Sequence, residues 1–285
     1  MRGAVHQVVA MTPATRLLRR VLSPIGDTGR RILHPQAQVF YDRLIEGGYA
    51  PNAHIDVLPA YQVIYVCVPK CASSSIKSTL STLIGRNLKT PEEAYERRLS
   101  GLKAPRQVSL ATLWHLATSP SALRFAFVRN PYARLVSCWA SKFRDQPLVP
   151  GQPLIDRYLT WQARTKAGPA RGSDQRLSFA EFLTFATSTA NERVDPHWEC
   201  QVNILDMPGI ALNYIGRVES FCDDFVRVLD HVDADTALRH RSLRPVNVSD
   251  HNPWPAYYTH ALAERVYRAY EKDFDRLKYP RRMTS

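Results

Sequence analysis

The stretch Val63-Ile64-Tyr65-Val66-Cys67-Val68-Pro69-Lys70-Cys71-Ala72-Ser73-Ser74-Ser75-Ile76-Lys77 decides the fold. Its first six residues are apolar and rich in β-branched side chains, which marks a buried strand, and Pro69 stops it. A polar turn follows, and then Ile76, Leu80, Leu83 and Ile84 recur at helical spacing. A strand thus feeds a short turn that opens a helix. The first N–H groups of a helix have no partners within it, and its dipole adds partial positive charge there, so the turn is a ready anion site. Lys70, Cys71, Ala72, Ser73, Ser74, Ser75 and Ile76 form the candidate cradle. The small residues let backbone and hydroxyls approach an anion, Lys70 supplies a point charge, and Lys77 lies one turn further in. Three consecutive serines exceed what helix capping alone requires.

The same arrangement recurs downstream. Leu123–Val128 reads as a second strand ending at Arg129-Asn130-Pro131, and Pro131 suits the first position of a helix. That helix carries Leu135, Val136, Trp139 and Phe143 as its apolar stripe, with Arg134, Ser137 and Ser141 on one adjoining face. Arg129 and Ser137 suit a second phosphate, held by charge and hydroxyl. The first turn is no Walker A loop: it lacks both glycines, and its lysine precedes the turn. A nucleotide triphosphatase would end a neighbouring strand in an aspartate that holds Mg²⁺; Arg129 in that place disfavours a metal and favours a second anion.

Further along, Ser178 and Glu181 form a capping box for a helix bearing Phe179, Phe182, Leu183 and Ala186. Leu212–Val218 suggests another strand, and Phe221, Phe225, Val228 and Leu229 a helix behind it. Leu262, Val266, Tyr270 and Phe274 mark one final helix. Residues 144–176 and 233–256 read as loops, the second including the basic run Arg239–Asp250, either a solvated loop or a segment that closes over a cofactor or grips an acidic acceptor. Strands alternating with helices predict an α/β fold, a P-loop-like central parallel sheet flanked by helices. Residues 1–58 read as a basic N-terminal arm with one helix near Gln36–Glu46, and residues 59–285 as a single domain.

Composition narrows the function. The 285 residues are 45% hydrophobic and 22% charged, which excludes a disordered, collagenous or coiled-coil chain. No apolar run reaches the length of a membrane span. A net charge of +12 favours anionic partners. Five cysteines in an odd count, with no CxxC pair, fit free thiols in a reducing compartment. The first 35 residues hold six arginines and no continuous apolar core, so no secretory signal is read. Both observations predict a cytoplasmic protein without a membrane anchor.

The pair Pro69-Lys70-Cys71-Ala72-Ser73-Ser74-Ser75 and Arg129-Asn130-Pro131-Tyr132-Ala133-Arg134-Leu135-Val136-Ser137 resembles the carbohydrate (family 2) sulfotransferases. Those enzymes use 3′-phosphoadenosine 5′-phosphosulfate (PAPS). Glu192, His197-Trp198 and Tyr214–Glu219 are similar to a segment of the chondroitin and dermatan 4-O-sulfotransferases. Tyr270–Phe274 with Tyr279 resembles their C-terminal end, so the likeness spans residues 62–280. The first loop looks more like the uronyl 2-O type. No segment resembling the Golgi enzymes' anchor is read, so none is expected, and Leu205–Gly209 replaces cysteines that they carry.

The resemblance implies the PAPS-dependent sulfotransferase fold and sulfuryl transfer to a hydroxyl of a carbohydrate or glycoconjugate acceptor, acidic ones included, without a metal or a nucleic acid. It implies that Lys70 and the loop bind the 5′-phosphosulfate and that Arg129 with Ser137 binds the 3′-phosphate. Three residues are candidates for the general base: His197, beside a Trp198 able to stack on a sugar; His115, 14 residues before Arg129; and Glu219, just past a strand. Two rival readings are an atypical P-loop kinase using ATP and Mg²⁺, and a basic nucleic-acid-binding protein. The second lacks any compact zinc, homeodomain or RNA-recognition motif.

Overall fold

A computed structural model of the chain describes residues 35–46, 51–166, 176–192, 195–243 and 252–282. Four strands form one sheet in the order β1 (Ile55–Leu58), β2 (Val63–Val66), β3 (Leu123–Val128) and β4 (Tyr214–Arg217). β2, β3 and β4 run parallel, with Val63 beside Leu123 and Phe125 beside Tyr214. β1 runs antiparallel to β2, Ile55 opposite Val66. The sheet is therefore mixed, where the sequence predicts a parallel one. Every residue of β1, β2 and β3 is buried, the mark of strands covered on both faces. On β4, Gly216 leaves room for Phe127, whose ring lies 2.5 Å from where a β-carbon would stand.

The described α-helices longer than four residues are α1 (Pro35–Glu46), α2 (Ser73–Leu83), α3 (Leu110–Thr118), α4 (Pro131–Lys142), α5 (Pro153–Thr165), α6 (Phe179–Thr189), α7 (Gln201–Leu205), α8 (Phe221–His231), α9 (Thr236–Ser242), α10 (His260–Ala269) and α11 (Glu271–Leu277). Their starts follow local chemistry. Asn130 accepts the Tyr132 N–H at 2.9 Å and Pro131 opens α4. Ser178 and Glu181 cap α6 reciprocally, as the sequence predicts. α1 packs on α3, with Phe40 edge-on to Trp114.

Several elements depart from the sequence reading. β2 ends at Val66, two residues early. Ile55–Leu58 lies within the expected basic arm yet is a strand of the sheet. Residues 144–176 contain α5, and 233–256 contain α9; 167–175 and 244–251 fall outside the described residues, as do residues 1–34. The last helix breaks at Tyr270 into α10 and α11.

β1 escapes pattern reading because Asp56 interrupts its apolar run. The Asp56 carboxylate is fully buried between two cations, the Lys77 ammonium and the Arg97 guanidinium, the latter at 2.8 Å. Arg97 also donates to the carbonyls of Asn52, Ile55 and Leu102. Lys77 is thus part of the scaffold and not of the anion cradle. Burial alone would lower its ammonium, but Asp56 more than offsets that and holds it above its ordinary value. Removing one member of a buried ion pair leaves an uncompensated charge. Asp56→Ala is expected to lower the unfolding free energy by about 3–5 kcal/mol, read from urea denaturation; an unshifted midpoint would show that the pair contributes nothing.

Candidate functional site

The first loop joins β2 to α2 through a backbone few side chains adopt. Lys70 has φ +69° and Ala72 φ +58°, each costing on the order of 1–3 kcal/mol for a non-glycine residue. Left-handed residues within a tight turn turn successive N–H groups toward one concavity, an anion-binding geometry. Helical bonding starts only where the Ile76 N–H meets the Ala72 carbonyl at 3.1 Å. The Ser73 and Ser74 hydroxyls both meet the Tyr95 hydroxyl, at 2.7 and 3.1 Å. Sequence reading missed Tyr95, because it lies in a Pro-led 3₁₀ turn, Pro91–Tyr95, without periodicity. Ser75 is buried, and Ile76 is wholly in the core, so Ile76 offers the loop its backbone alone. Cys71 is fully buried too; burial pushes its thiol up to about 12, and it donates to Gln201 Oε1 at 3.3 Å.

Lys70 reaches across to α4, where its ammonium donates to Ser141 Oγ at 2.6 Å. Burial lowers that ammonium to about 8, and the charges of Lys142 and Arg129 push the same way. Ser137 is buried one turn earlier on α4.

The second loop lies beside the first. Arg129 Nη1 is 3.5 Å from the Lys70 carbonyl. Burial disfavours the Arg129 charge, and the Cys71 thiol and Glu219 carboxylate restore part of it. Glu219 accepts the Asn130 N–H at 2.7 Å on one oxygen and the Tyr279 hydroxyl at 2.9 Å on the other. Those bonds make it a support of the loop, which tells against Glu219 as a base. Arg134 is no anion ligand. It is buried, with Nε on the Pro69 carbonyl at 3.1 Å and its terminal nitrogens on the Glu199 and Pro196 carbonyls, both at 2.6 Å.

Through those carbonyls Arg134 also places His197. His197 Nδ1 lies 2.6 Å from Asp195 Oδ1, and a carboxylate only accepts, so Nδ1 carries the proton and Nε2 is the basic atom. Asp195 is itself buried, 3.4 Å from Arg157 of α5. Burial lowers the His197 imidazolium, Asp195 opposes this, and the charges of Lys142 and Lys70 add to the lowering. His197 therefore shares the electrostatic environment of Lys70. His54, a residue the sequence did not single out, lies at the same end of β2, with Nδ1 3.3 Å from the Cys67 carbonyl. Burial likewise lowers it.

Two expectations fail. His115 is exposed in the last turn of α3, which delivers the chain to the start of β3, roughly 20 Å of strand from Arg129. Trp198 is fully buried among Phe143, Phe182 and Phe185, with its indole N–H on Thr189, so it stacks on protein and not on sugar.

The fold and site together place Lys70 and Arg129 in neighbouring loops after β2 and β3, with Arg134 tying the first loop to the segment that carries His197. The model of the sulfotransferase family matches residues 53–280, and the chain belongs to that family. It is 27% identical to carbohydrate sulfotransferase 14 of Homo sapiens over 242 residues, 80% of this chain and 60% of that protein. It is 24% identical to carbohydrate sulfotransferase 12 of Xenopus laevis, covering 81% and 62%, and 25% to carbohydrate sulfotransferase 11 of Mus musculus, covering 79% and 67%. The chain spans about 60% of the length of the first of these relatives. No solved structure matches it.

The His197–Asp195 contact has a direct signature. His197 should titrate below the ordinary histidine value in an NMR series. Asp195→Asn removes the group that raises it, so the titration should move further toward acid; no movement would show that the two side chains do not interact.

Proposed function

We propose that the chain transfers a sulfuryl group from PAPS to a hydroxyl of a carbohydrate acceptor. The observation that carries this reading is the adjacency of a strained serine-rich cradle with Lys70 and a second cationic loop with Arg129, whose guanidinium reaches the cradle's own backbone. Two charged groups on one ligand fit that arrangement, and a 3′,5′-phosphorylated nucleotide has them. Arg129 holds the place where a kinase-like relative would need a metal-binding carboxylate, so binding is expected to persist in EDTA. The family and the carbohydrate sulfotransferases it is similar to support the reaction class.

In the reaction, PAPS supplies the sulfuryl group. The first-loop N–H groups with Ser73, Ser74 and Ser75 orient the phosphosulfate, and Arg129, with Ser137 of α4, holds the 3′-phosphate. His197 Nε2 takes the proton of the acceptor hydroxyl as its oxygen bonds to sulfur. The bridging S–O bond breaks, and Lys70 stabilises the charge left on the departing phosphate. Positioning and charge stabilisation carry such transfers. Of the three base candidates, the Asp195 contact and the charge of Lys70 favour His197. Buried free thiols at Cys67, Cys71, Cys138 and Cys200 support the proposal of a reducing, cytoplasmic compartment.

Arg129→Ala should weaken binding of 3′-phosphoadenosine 5′-phosphate roughly 10–100-fold by calorimetry. Lys70→Ala should lower kcat by roughly 10²–10³. Unchanged values in both would reject the assignment. The free chain needs neutral His197 and charged Lys70, so kcat/KM should rise through the lowered His197 value and fall again near 8. Lys70→Arg should move the alkaline fall upward; a fall that stays in place would belong to another group.

A further inference from the structure

Gln201 is fully buried, and its carboxamide is fully bonded. Its Oε1 accepts the Arg129 N–H at 2.9 Å and the Cys71 thiol at 3.3 Å. Its Nε2 donates to the Arg129 carbonyl at 2.8 Å and to Asp273 Oδ2 at 3.3 Å. The Gln201 and Val202 N–H groups each donate to Asp273 at 2.9 Å, which anchors α7 on α11.

The geometry of the strands explains why a side chain is needed there. Val128 turns its carbonyl to β4, where Val218 N–H meets it at 2.9 Å. In extended chain the next residue turns both polar groups the other way, toward the side β2 occupied before leaving for the cradle. Gln201 takes the vacated place and pairs with both groups of the Arg129 peptide, as a neighbouring strand would. The same oxygen holds Cys71 of the departing strand's loop. One carboxamide thereby touches both anion loops.

We infer that Gln201 is the positioning residue that sets the spacing of the two loops, so that a ligand carrying two phosphates is bound as one unit. The inference rests on the function proposed above. A ligand held at two fixed points gains a large effective concentration for its second contact, and loses that gain when the points are no longer held in register. A ligand with one phosphate gains nothing from the spacing. Gln201 contacts no ligand in this role; it acts through the Arg129 peptide and Cys71.

The experiment is calorimetric titration of the full chain with 3′-phosphoadenosine 5′-phosphate and, separately, adenosine 5′-phosphate. Gln201→Leu, which keeps the volume and removes every polar contact of the side chain, should weaken the bisphosphate roughly 30-fold while changing the monophosphate less than about threefold. Loss of both ligands alike, or of neither, overturns the inference, because general damage to the fold does not discriminate between them. Cys71→Ala should show a smaller loss confined to the bisphosphate, and Cys71→Ser, which restores a donor for Oε1, should recover part of that loss. This pair carries the test if Gln201→Leu does not fold, and identical behaviour of the two overturns the tie to the first loop. A wild-type chain with no preference for the bisphosphate rejects the functional reading itself, and the inference with it.

Discussion

The Arg129 peptide sits where β3 continues past the end of its neighbour. A buried N–H and carbonyl there would each cost about 1–3 kcal/mol if left unpaired, and no strand remains to take them. Much of the site follows from how this is solved. Gln201 supplies the missing partner, Asp273 holds Gln201 and starts α7, and Cys71 is drawn onto the same oxygen. The two loops are thereby fixed by hydrogen bonds before any ligand arrives. Preorganised groups cost no rearrangement when charge develops on them.

Charge is divided between the scaffold and the two loops in a consistent way. Asp56 is matched by Lys77 and Arg97, and Asp195 by His197 and Arg157. Among the described residues Lys70 and Arg129 make no ion pair with a carboxylate; Lys70 rests on a hydroxyl and Arg129 on a carbonyl. Each is a partly buried cation whose charge burial disfavours. Under the proposed function, an anion held between the two would relieve that penalty in both at once.

The sequence made the two loops legible because each is a local event: a β-branched run, a break and a helix start, all within about fifteen residues. The helix starts were legible for the same reason, down to the Ser178–Glu181 cap. What stayed hidden depends on partners far away in the chain. Asp56 looks like a break in β1 until Lys77 and Arg97 are placed around it. α5 hides behind Pro and Gly at its edges. Glu219 resembles a free carboxylate until Tyr279, sixty residues on, donates to it. Trp198 beside a candidate base suggests a sugar platform, yet Thr189 and three phenylalanines claim it. Gln201 carries no sequence signal at all, since a glutamine between Cys200 and Val202 reads as an ordinary helix residue.

The second motif shows why residue type alone does not assign a role. Arg129 and Arg134 stand five residues apart on one turn and its helix, and either has the charge to hold a phosphate. Burial and partners separate them. Arg134 faces three carbonyls, at Pro69, Pro196 and Glu199, which satisfies a guanidinium's planar donors without any carboxylate. Those carbonyls belong to the first loop and to the segment carrying His197. Arg134 is therefore a strut between the first loop and the His197 segment, whereas the Arg129 guanidinium meets a single carbonyl, that of Lys70. A lysine at 134 would keep the charge but offers no fork to span three carbonyls. The distance between the cradle and the His197 imidazole thus depends on the planar shape of one buried side chain as much as on the sheet beneath it.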